Sequence, residues 1–308
     1  MIKTEGLSKY FDQFLAVDQV NLDVPAGEVL VLLGPNGAGK TTTVRMLTSI
    51  LKPSRGFASV AGYDVVKDAE KVREMVGVLT EHHGLYHRMN AEEYLQFYGA
   101  LYGLSAKAST ERFTPMLEKF DMLVYRKKRL GEYSKGMRQK LALVRALIND
   151  PPVLLLDEPT SAMDPESARI VRDAIHGLRK SDRTIILCTH NLSEAEELAD
   201  QVAIIRNGKI VLNDYLEEVK RTLLGNPVFE AVFVEQLNSW RPNLPEGIVV
   251  LEEKENIIKF EIADPKKVNP DFIRYLAQEK SLISFQEKPR RLEDAYLEAV
   301  HLVENGGL

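Results

Sequence analysis

A glycine-rich segment directly after a short apolar run constrains the fold of this chain more than any other feature of its sequence. Val29–Leu33 is continuously apolar, as in a strand that helices cover on both faces. The segment GPNGAGKTT follows at Gly34–Thr42. Apolar residues then recur at helical spacing, at Val44, Leu47 and Leu51. This order predicts a strand, a tight turn and a helix over Thr41–Leu51, and it favours a sheet of mainly parallel strands.

The turn matches the pattern Gly-x-x-x-x-Gly-Lys-Ser/Thr, which is typical of phosphate-binding loops between a strand and a helix. Glycines let successive backbone N–H groups point at phosphate oxygens, and the helix N-terminus adds its positive dipole end. We expect Lys40 to reach the β- and γ-phosphates of a bound nucleotide and the Thr41 hydroxyl to bind Mg²⁺. The candidate nucleotide-binding residues of this loop are Gly34, Pro35, Asn36, Gly37, Ala38, Gly39, Lys40, Thr41 and Thr42.

Polar residues end two later apolar runs in the same way. Asp157 and Glu158 follow Val153–Leu156, and His190 follows Thr184–Cys188. Open parallel sheets bind their ligands at the carboxyl ends of the strands, so we expect these side chains near the phosphate loop. Asp157 suits Mg²⁺ binding, and Glu158 suits polarising a water that attacks the γ-phosphate. The alternatives are a solvated strand end for the carboxylates and a surface residue for the histidine.

The rest of the chain divides into an inserted helical region and a distinct tail. Met137, Leu141, Val144 and Ile148 stand at helical spacing, and residues 91–122 contain no apolar strand, so we expect a helical subdomain over about 88–150. Alternation within Leu15–Val24 predicts an early antiparallel strand. After Gly208–Asn213, prolines such as Pro265 break the sequence into short strands and helices. We therefore expect a nucleotide-binding domain over 1–218 and a small α+β domain over 219–308.

Charge and hydropathy limit the class of partner. The net charge of −5 argues against a broadly basic nucleic-acid-binding protein, so no nucleic acid is expected as a partner. The N-terminus lacks the apolar core of a signal peptide, and the strongest apolar run near it, Val29–Leu33, is far shorter than the about 20 residues of a membrane-spanning helix. We expect association with a membrane only through a partner.

Taken together, these motifs resemble the ATP-binding subunits of ATP-binding cassette (ABC) transporters. Tyr133–Met137 resembles the family's LSGGQ signature, Ser161–Asp164 its D-loop and His190 its switch histidine. Phe11 lies where the family places an aromatic ring that stacks on adenine. The resemblance covers about residues 1–215, and five motifs occur in the family's order.

The resemblance implies a P-loop NTPase fold and hydrolysis of ATP with Mg²⁺, with Lys40, Glu158 and His190 as catalytic residues. It further implies that Ser134, Gly136 and Asp164 contact ATP held by a second copy of the chain or by a paralogous ATPase subunit. Ser134 and Gly136 begin a predicted helix, where backbone N–H groups favour an anion, although an ordinary helix cap is the alternative. A separate transmembrane permease would complete the transporter at the cytoplasmic face of the cell membrane.

Two positions depart from the family's pattern. The signature carries Lys135 between Ser134 and Gly136, which adds positive charge near the expected anion site. Glu81 occupies the place of the family's Q-loop glutamine. A carboxylate there can still contact Mg²⁺ or the attacking water, so we expect Glu81 among the catalytic and metal-binding residues, with altered tuning of hydrolysis.

The direction of transport is a separate question. The cassette followed by a tail of about 90 residues resembles the ATPases of multidrug and ABC-2-type exporters. An importer ATPase is the alternative within the family. A non-transport cassette protein that acts as an ATP-gated clamp is the alternative outside transport, although those proteins usually carry two cassettes or a long coiled coil. A GTPase is disfavoured because the guanine-binding motif Asn-Lys-x-Asp is absent from the sequence.

Overall fold

The computed structural model describes residues 1–80, 84–161, 163–179, 183–238 and 240–304, with only the backbone described at 298 and over 300–304. Glu81, which the sequence places among the candidate site residues, lies outside these ranges. The chain forms two compact units, the first over residues 1–216 and the second beginning at Glu217.

The first unit contains ten strands and seven α-helices among its described residues. The strands are β1 (Ile2–Phe11), β2 (Phe14–Val24), β3 (Val29–Leu33), β4 (Arg55–Val60), β5 (Tyr63–Asp64), β6 (Val76–Leu79), β7 (Val153–Asp157), β8 (Thr184–Thr189), β9 (Gln201–Arg206) and β10 (Lys209–Tyr215). The helices are α1 (Lys40–Leu47), α2 (Ala69–Met75), α3 (Ala91–Leu101), α4 (Ala106–Lys119), α5 (Lys135–Ala146), α6 (Pro165–Gly177) and α7 (Leu192–Leu198).

A six-stranded sheet in the order β10-β9-β3-β8-β7-β6 forms the centre of this unit. Strands β6, β7, β8, β3 and β9 are parallel, and β10 pairs antiparallel with β9 at the edge. Every residue of β3, β7 and β8 is buried, which is why these three strands are apolar without alternation. Since the three strands are adjacent and parallel, the segments that follow them meet at one edge of the sheet.

A second, antiparallel sheet has the order β2-β1-β4-β5. Strands β1 and β2 form a hairpin in which Phe11 pairs with Phe14 across a two-residue turn. The predicted antiparallel portion is therefore present, and it includes β1, β4 and β5, which the sequence pattern did not delimit.

Helices α3, α4 and α5 form the expected insertion between β6 and β7. Asn90 and Glu93 form a reciprocal capping box at the start of α3, and Ser105 caps α4. Tyr94, Phe113 and Leu117 are fully buried in this layer.

One predicted boundary is wrong. The helix expected over Thr41–Leu51 ends at Leu47, because Ser49 adopts a left-handed backbone with φ 57°. Pro265 separates a strand from a helix in the tail, as expected, and is itself the first residue of that helix, since proline is compatible with the first helical turn, where its missing N–H has no intrahelical partner.

The second unit is a four-stranded antiparallel sheet with helices. Its elements are α8 (Leu216–Leu224), β11 (Val228–Phe233), β12 (Ile248–Lys254), β13 (Ile257–Ile262), α9 (Pro265–Glu279), β14 (Leu282–Glu287) and α10 (Leu292–Glu304). The strand order is β12-β13-β11-β14. Burial alternates along β11 and β13, so one face of the sheet carries the apolar core that contains Phe229, Phe260 and Phe272.

Candidate nucleotide site

Two positions of the glycine-rich turn between β3 and α1 have no room for a side chain. Gly39 has φ 111°, and a Cβ atom there would lie 2.8 Å from the Ala16 carbonyl oxygen. At Gly34 a Cβ atom would lie 2.3 Å from the Ile205 carbonyl oxygen. The close approach of β9 therefore explains the first glycine of the motif, and the left-handed backbone at the start of α1 explains the last.

Lys40 is buried beneath this turn. Its Nζ donates hydrogen bonds to the Gly34 carbonyl at 2.6 Å and the Pro35 carbonyl at 3.3 Å. The same atom lies 3.5 Å from Glu158 Oε1. Only 5% of Lys40 is exposed, so its charge is held at the base of the turn by carbonyl dipoles and one carboxylate.

Thr41 and Asp157 bring two oxygen atoms together at the sheet edge. The Thr41 hydroxyl donates a hydrogen bond of 2.6 Å to Asp157 Oδ2, and Asp157 is almost fully buried. A hydroxyl beside a carboxylate is the kind of oxygen donor set that Mg²⁺ prefers. No cluster of three or more His, Cys, Asp or Glu side chains suited to a metal occurs in the described part of the chain. These two residues therefore fit a Mg²⁺ that takes its other ligands from phosphate and water.

Glu158 and His190 form a second pair at the same edge. His190 Nδ1 lies 2.8 Å from Glu158 Oε1, and the histidine side chain is 55% exposed whereas that of Glu158 is 11% exposed. Glu158 has a left-handed backbone with φ 52°, which is uncommon for a residue with a side chain and marks a locally strained position. The pair therefore presents a carboxylate with one oriented histidine partner.

Hydrogen bonds to its backbone N–H and carbonyl groups hold Glu158 in place. Its N–H donates to the Cys188 carbonyl at 2.9 Å, and its carbonyl accepts from Gln139 Nε2 at 3.1 Å. Gln139 lies on α5, is buried and was not among the predicted site residues. The sequence does not predict this contact, because the partner of Gln139 is the backbone carbonyl of Glu158, which is distant in the chain and has no side-chain motif.

Most of the residues predicted to bind nucleotide or act in catalysis line one cavity of about 500 Å³. Its described lining residues are Phe11, Phe14, Ala16, Pro35, Asn36, Gly37, Ala38, Gly39, Lys40, Thr41, Thr42, Asp157, Glu158, Ser161 and His190. Phe11 is 44% exposed and Phe14 is 68% exposed. Phe14, Ala16 and Ser161 were not predicted as site residues. The two-residue turn between Phe11 and Phe14 is the signal that could have identified Phe14.

Ser134, Gly136 and Asp164 are not among the lining residues of this cavity. Ser134 Oγ accepts from the Met137 N–H at 3.2 Å at the start of α5, and Asp164 Oδ1 accepts from the Ser167 N–H at 2.9 Å at the start of α6. The Ser167 hydrogen bond lowers the pKa of Asp164. A Cβ atom at Gly136 would lie 3.9 Å from Ser167 Oγ, so the two helix starts are neighbours.

Strand β6 ends at Leu79, two residues before Glu81 in the sequence. Arg145 on α5 donates to the Val78 carbonyl at 3.2 Å and to the Tyr94 hydroxyl at 3.0 Å, which ties this strand to the helical insertion. Because Glu81 itself lies outside the described residues, its catalytic and metal-binding roles stay predictions.

The described helices include none that is both long and apolar enough to cross a membrane.

Comparison with known proteins identifies the family. Residues 17–161 match the family model described as ABC transporter. The chain is 43% identical over 205 residues to the ABC transporter ATP-binding protein NatA of Bacillus subtilis (strain 168), covering 66% of this chain and 83% of that protein. It is 33% identical over 279 residues to the daunorubicin resistance ATP-binding protein DrrA3 of Streptomyces coeruleorubidus, covering 90% of this chain and 88% of that protein.

A solved structure agrees with this assignment. An ATP-binding subunit of an ABC transporter superposes with a TM-score of 0.68 at 29% sequence identity, covering 73% of this chain and 93% of the other. The predicted α/β fold of a P-loop NTPase is thereby confirmed, as is the resemblance drawn from the five motifs. This chain belongs to the family of ABC transporter ATP-binding proteins.

Proposed function

We propose that the chain binds ATP with Mg²⁺ in the cavity beside the phosphate loop and hydrolyses it. The observation that carries this proposal is the meeting of Lys40, Thr41, Asp157, Glu158 and His190 in one cavity of about 500 Å³. Such a reaction uses a lysine at the phosphates, oxygen ligands for Mg²⁺ and a residue that positions or deprotonates the attacking water, and Lys40, Thr41, Asp157 and Glu158 supply these groups.

Each charged group has a distinct place in the proposed reaction. Lys40 binds the β- and γ-phosphates. Thr41 and Asp157 would hold Mg²⁺, which would supply positive charge to the phosphate oxygens. The contact of 3.5 Å between Lys40 Nζ and Glu158 Oε1 separates when the phosphate replaces the carboxylate as the partner of Lys40. Glu158 then accepts a proton from the attacking water, while His190 orients the carboxylate.

Phe11 supplies the binding surface for the base. Its ring is 44% exposed at the mouth of the cavity, and Lys9 Nζ lies 5.4 Å from the ring centroid on the same strand. An exposed ring at a nucleotide cavity suits stacking on adenine, because stacking requires a free aromatic face.

A second copy of the chain, or a paralogous ATPase subunit, completes the site in this proposal. Ser134 and Gly136 begin α5 outside the cavity of their own chain, and Asp164 begins α6 beside them. A helix start with free backbone N–H groups attracts an anion, so we propose that it contacts the γ-phosphate held by the partner copy.

The dimer has a charge-based test. Glu158→Gln should bind ATP without hydrolysing it, so ATP-dependent dimers of this variant should accumulate in gel filtration. Adding Ser134→Asp keeps a capping oxygen at the start of α5 but introduces a negative charge, so these dimers should disappear. Ser105→Asp is the matched control, because Ser105 caps α4 with the same hydrogen-bond length of 3.2 Å. Equal dimerisation of both variants would remove the signature from the proposed interface.

We propose that a separate transmembrane permease docks on the helical insertion and that the chain works at the cytoplasmic face of the membrane. A groove of about 210 Å³ lies where this insertion meets α2 and the segment after α1, and it is lined by Ile50, Arg73, Tyr98, Tyr102 and Arg145, among others. Ile50 is 66% exposed and Tyr102 is 41% exposed. Exposed apolar side chains of this size, flanked by arginines, are typical of a binding surface for another protein.

If the permease proposal is right, a gene next to that of this chain should encode a membrane protein with several apolar segments of about 20 residues. That protein is the partner for the test. Ile50→Glu should abolish its co-purification with the chain. Val124→Glu, at a residue that is 84% exposed elsewhere on the insertion, should not. If both variants retain the membrane protein, the groove is not the docking surface.

We propose export as the direction of transport, with residues 1–218 as the nucleotide-binding domain and 219–308 as an accessory domain. The similarity to a daunorubicin resistance ATP-binding protein over 90% of this chain, which extends into the tail, supports export because expelling a drug confers resistance to it. Uptake of a radiolabelled drug into inverted vesicles, dependent on ATP and lost in Lys40→Ala, is the direct test. Efflux from the vesicle lumen would indicate import instead.

A further inference from the structure

Two connections between strands pack on the apolar face of the sheet in the second unit. The connection from β13 to β14 is the helix α9, which packs Phe272 and Leu276 on the apolar face. The connection from β11 to β12 covers the same face, with Leu237 in the core and Trp240 5.5 Å from Phe233, but residues 234–238 and 240–247 form no helix. An irregular segment therefore lies beside α9 where a second helix could pack.

A cavity of about 720 Å³ lies between the end of this connection and α9. The Asn243 N–H donates to the Tyr275 hydroxyl at 2.8 Å and fixes the connection to the helix. Leu244, Val268 and Phe272 contribute apolar lining. This volume is within the range of cavities that bind drug-sized molecules, which are mostly apolar with a few polar groups.

The charged side chains around the cavity are predominantly acidic. Glu246, Asp264 and Asp271 face a single lysine, Lys267, among the described lining residues. Asp271 pairs with Arg274 at 2.7 Å, and Asp264 accepts from the Lys267 backbone N–H at 3.3 Å.

Glu246 differs from the other two acidic residues, because it is exposed and makes no hydrogen bond or ion pair with the described residues. Its carboxylate is thus available to a ligand at the edge of an apolar cavity. An organic cation with an apolar body complements both properties, because its charge meets the Glu246 carboxylate while its apolar body covers Leu244 and Tyr275.

We propose that this cavity is a binding site for a lipophilic organic cation. The site is formed by the second unit alone and does not depend on the proposed ATPase reaction. The probe for the test is ethidium, a planar cation whose fluorescence rises in apolar surroundings, with anilinonaphthalene sulfonate as a planar anion of similar character. Both are titrated into the full chain and followed by fluorescence.

Two variants address the two properties of the site. Val268→Trp fills the cavity and should remove saturable ethidium binding. Glu246→Lys should weaken ethidium binding by up to about fivefold, which is the upper end of the scale for an exposed ion pair. Glu279→Lys makes the same charge change at the far end of α9, outside the cavity, and should bind ethidium as the unmodified chain does. Circular dichroism checks that each variant is folded.

The fluorescence titrations of the three variants decide between support for the proposal and its rejection. Ethidium binding that is lost in Val268→Trp, weakened in Glu246→Lys and kept in Glu279→Lys, with no comparable binding of the anion, supports the proposal. The absence of saturable ethidium binding to the unmodified chain overturns it. Equal binding of the anion, or ethidium binding that neither variant changes, overturns it as well. If Val268→Trp does not fold, Glu246→Lys alone decides, because that side chain is exposed and makes no contact that folding requires.

Discussion

The Thr41 hydroxyl donates a hydrogen bond of 2.6 Å to Asp157 Oδ2, which joins the first turn of α1 to the end of β7. The two oxygens meet because β3 and β7 are both parallel to β8 and end at the same edge of the sheet. This contact places the proposed Mg²⁺ ligands together.

Replacing Thr41 by alanine should raise the Mg²⁺ concentration needed for half-maximal ATPase activity by at least about tenfold, since loss of a metal-site partner typically costs that much affinity. A magnesium titration of the steady-state rate measures this. Thr41→Ser keeps the hydroxyl and serves as the control. An unchanged magnesium requirement in Thr41→Ala would remove this hydroxyl from the metal site.

Replacing Phe11 by alanine should weaken ATP binding by about 1 to 3 kcal/mol, the usual contribution of base stacking on an aromatic ring. Phe11→Tyr should bind ATP normally, because it keeps the aromatic face. Phe57→Ala is the matched control, since Phe57 is 40% exposed on β4 and does not line the cavity. Isothermal titration with ATP decides, and equal affinities of Phe11→Ala and Phe57→Ala would argue against stacking.

Glu194 should make the stability of the fold depend on pH. It is buried beside the site, accepts a hydrogen bond of 2.8 Å from Thr160 Oγ1, and burial raises its pKa above the ordinary value of 4.5. The native state therefore holds this proton to a higher pH than the unfolded chain does. The contribution of Glu194 to stability is greatest below pH 4.5 and is lost as pH rises through the raised pKa.

Glu194→Gln keeps an acceptor for Thr160 but cannot ionise, so its free energy of unfolding relative to the unmodified chain should increase as pH rises above 4.5. Urea unfolding at a series of pH values measures the difference. Glu197→Gln removes the same charge from the same helix at a residue whose side chain is 47% exposed, and it is the matched control for the substitution itself. A constant difference across the series for Glu194→Gln would contradict the assignment.

Glu81 can be tested through the residue that the family usually carries. Glu81→Gln should retain ATP hydrolysis, because an amide oxygen can replace the carboxylate toward Mg²⁺ or the attacking water. The steady-state ATPase rate is the measurement. Complete loss of activity in this variant would show that the negative charge itself is required.

The parts of the fold that the sequence predicts best are the strands buried on both faces. Val29–Leu33 and Val153–Leu156 are apolar without interruption, and each ends at a motif, so their place in a parallel sheet follows from composition and order alone. Strand β1 was not delimited, because its pairing with β2 is interrupted at several points between Thr4 and Tyr10 and the alternation of buried residues is lost there.

The site was predictable where it depends on local motifs and unpredictable where it depends on distant contacts. Lys40 and Asp157 follow from the phosphate loop and the strand end. Gln139 does not, since it donates from helix α5 to the backbone carbonyl of Glu158, which follows strand β7. Similarly, the need for glycine at position 34 comes from the Ile205 carbonyl on a strand far along the chain.

Glu158→Gln tests the central claim most directly. The variant keeps the size of the side chain but cannot accept the proton of the attacking water. It should bind ATP with Mg²⁺ as the unmodified chain does, while single-turnover hydrolysis falls by about 100-fold or more, as expected for loss of a general base. Hydrolysis at the unmodified rate in Glu158→Gln would contradict the assignment of this site as the centre of ATP hydrolysis.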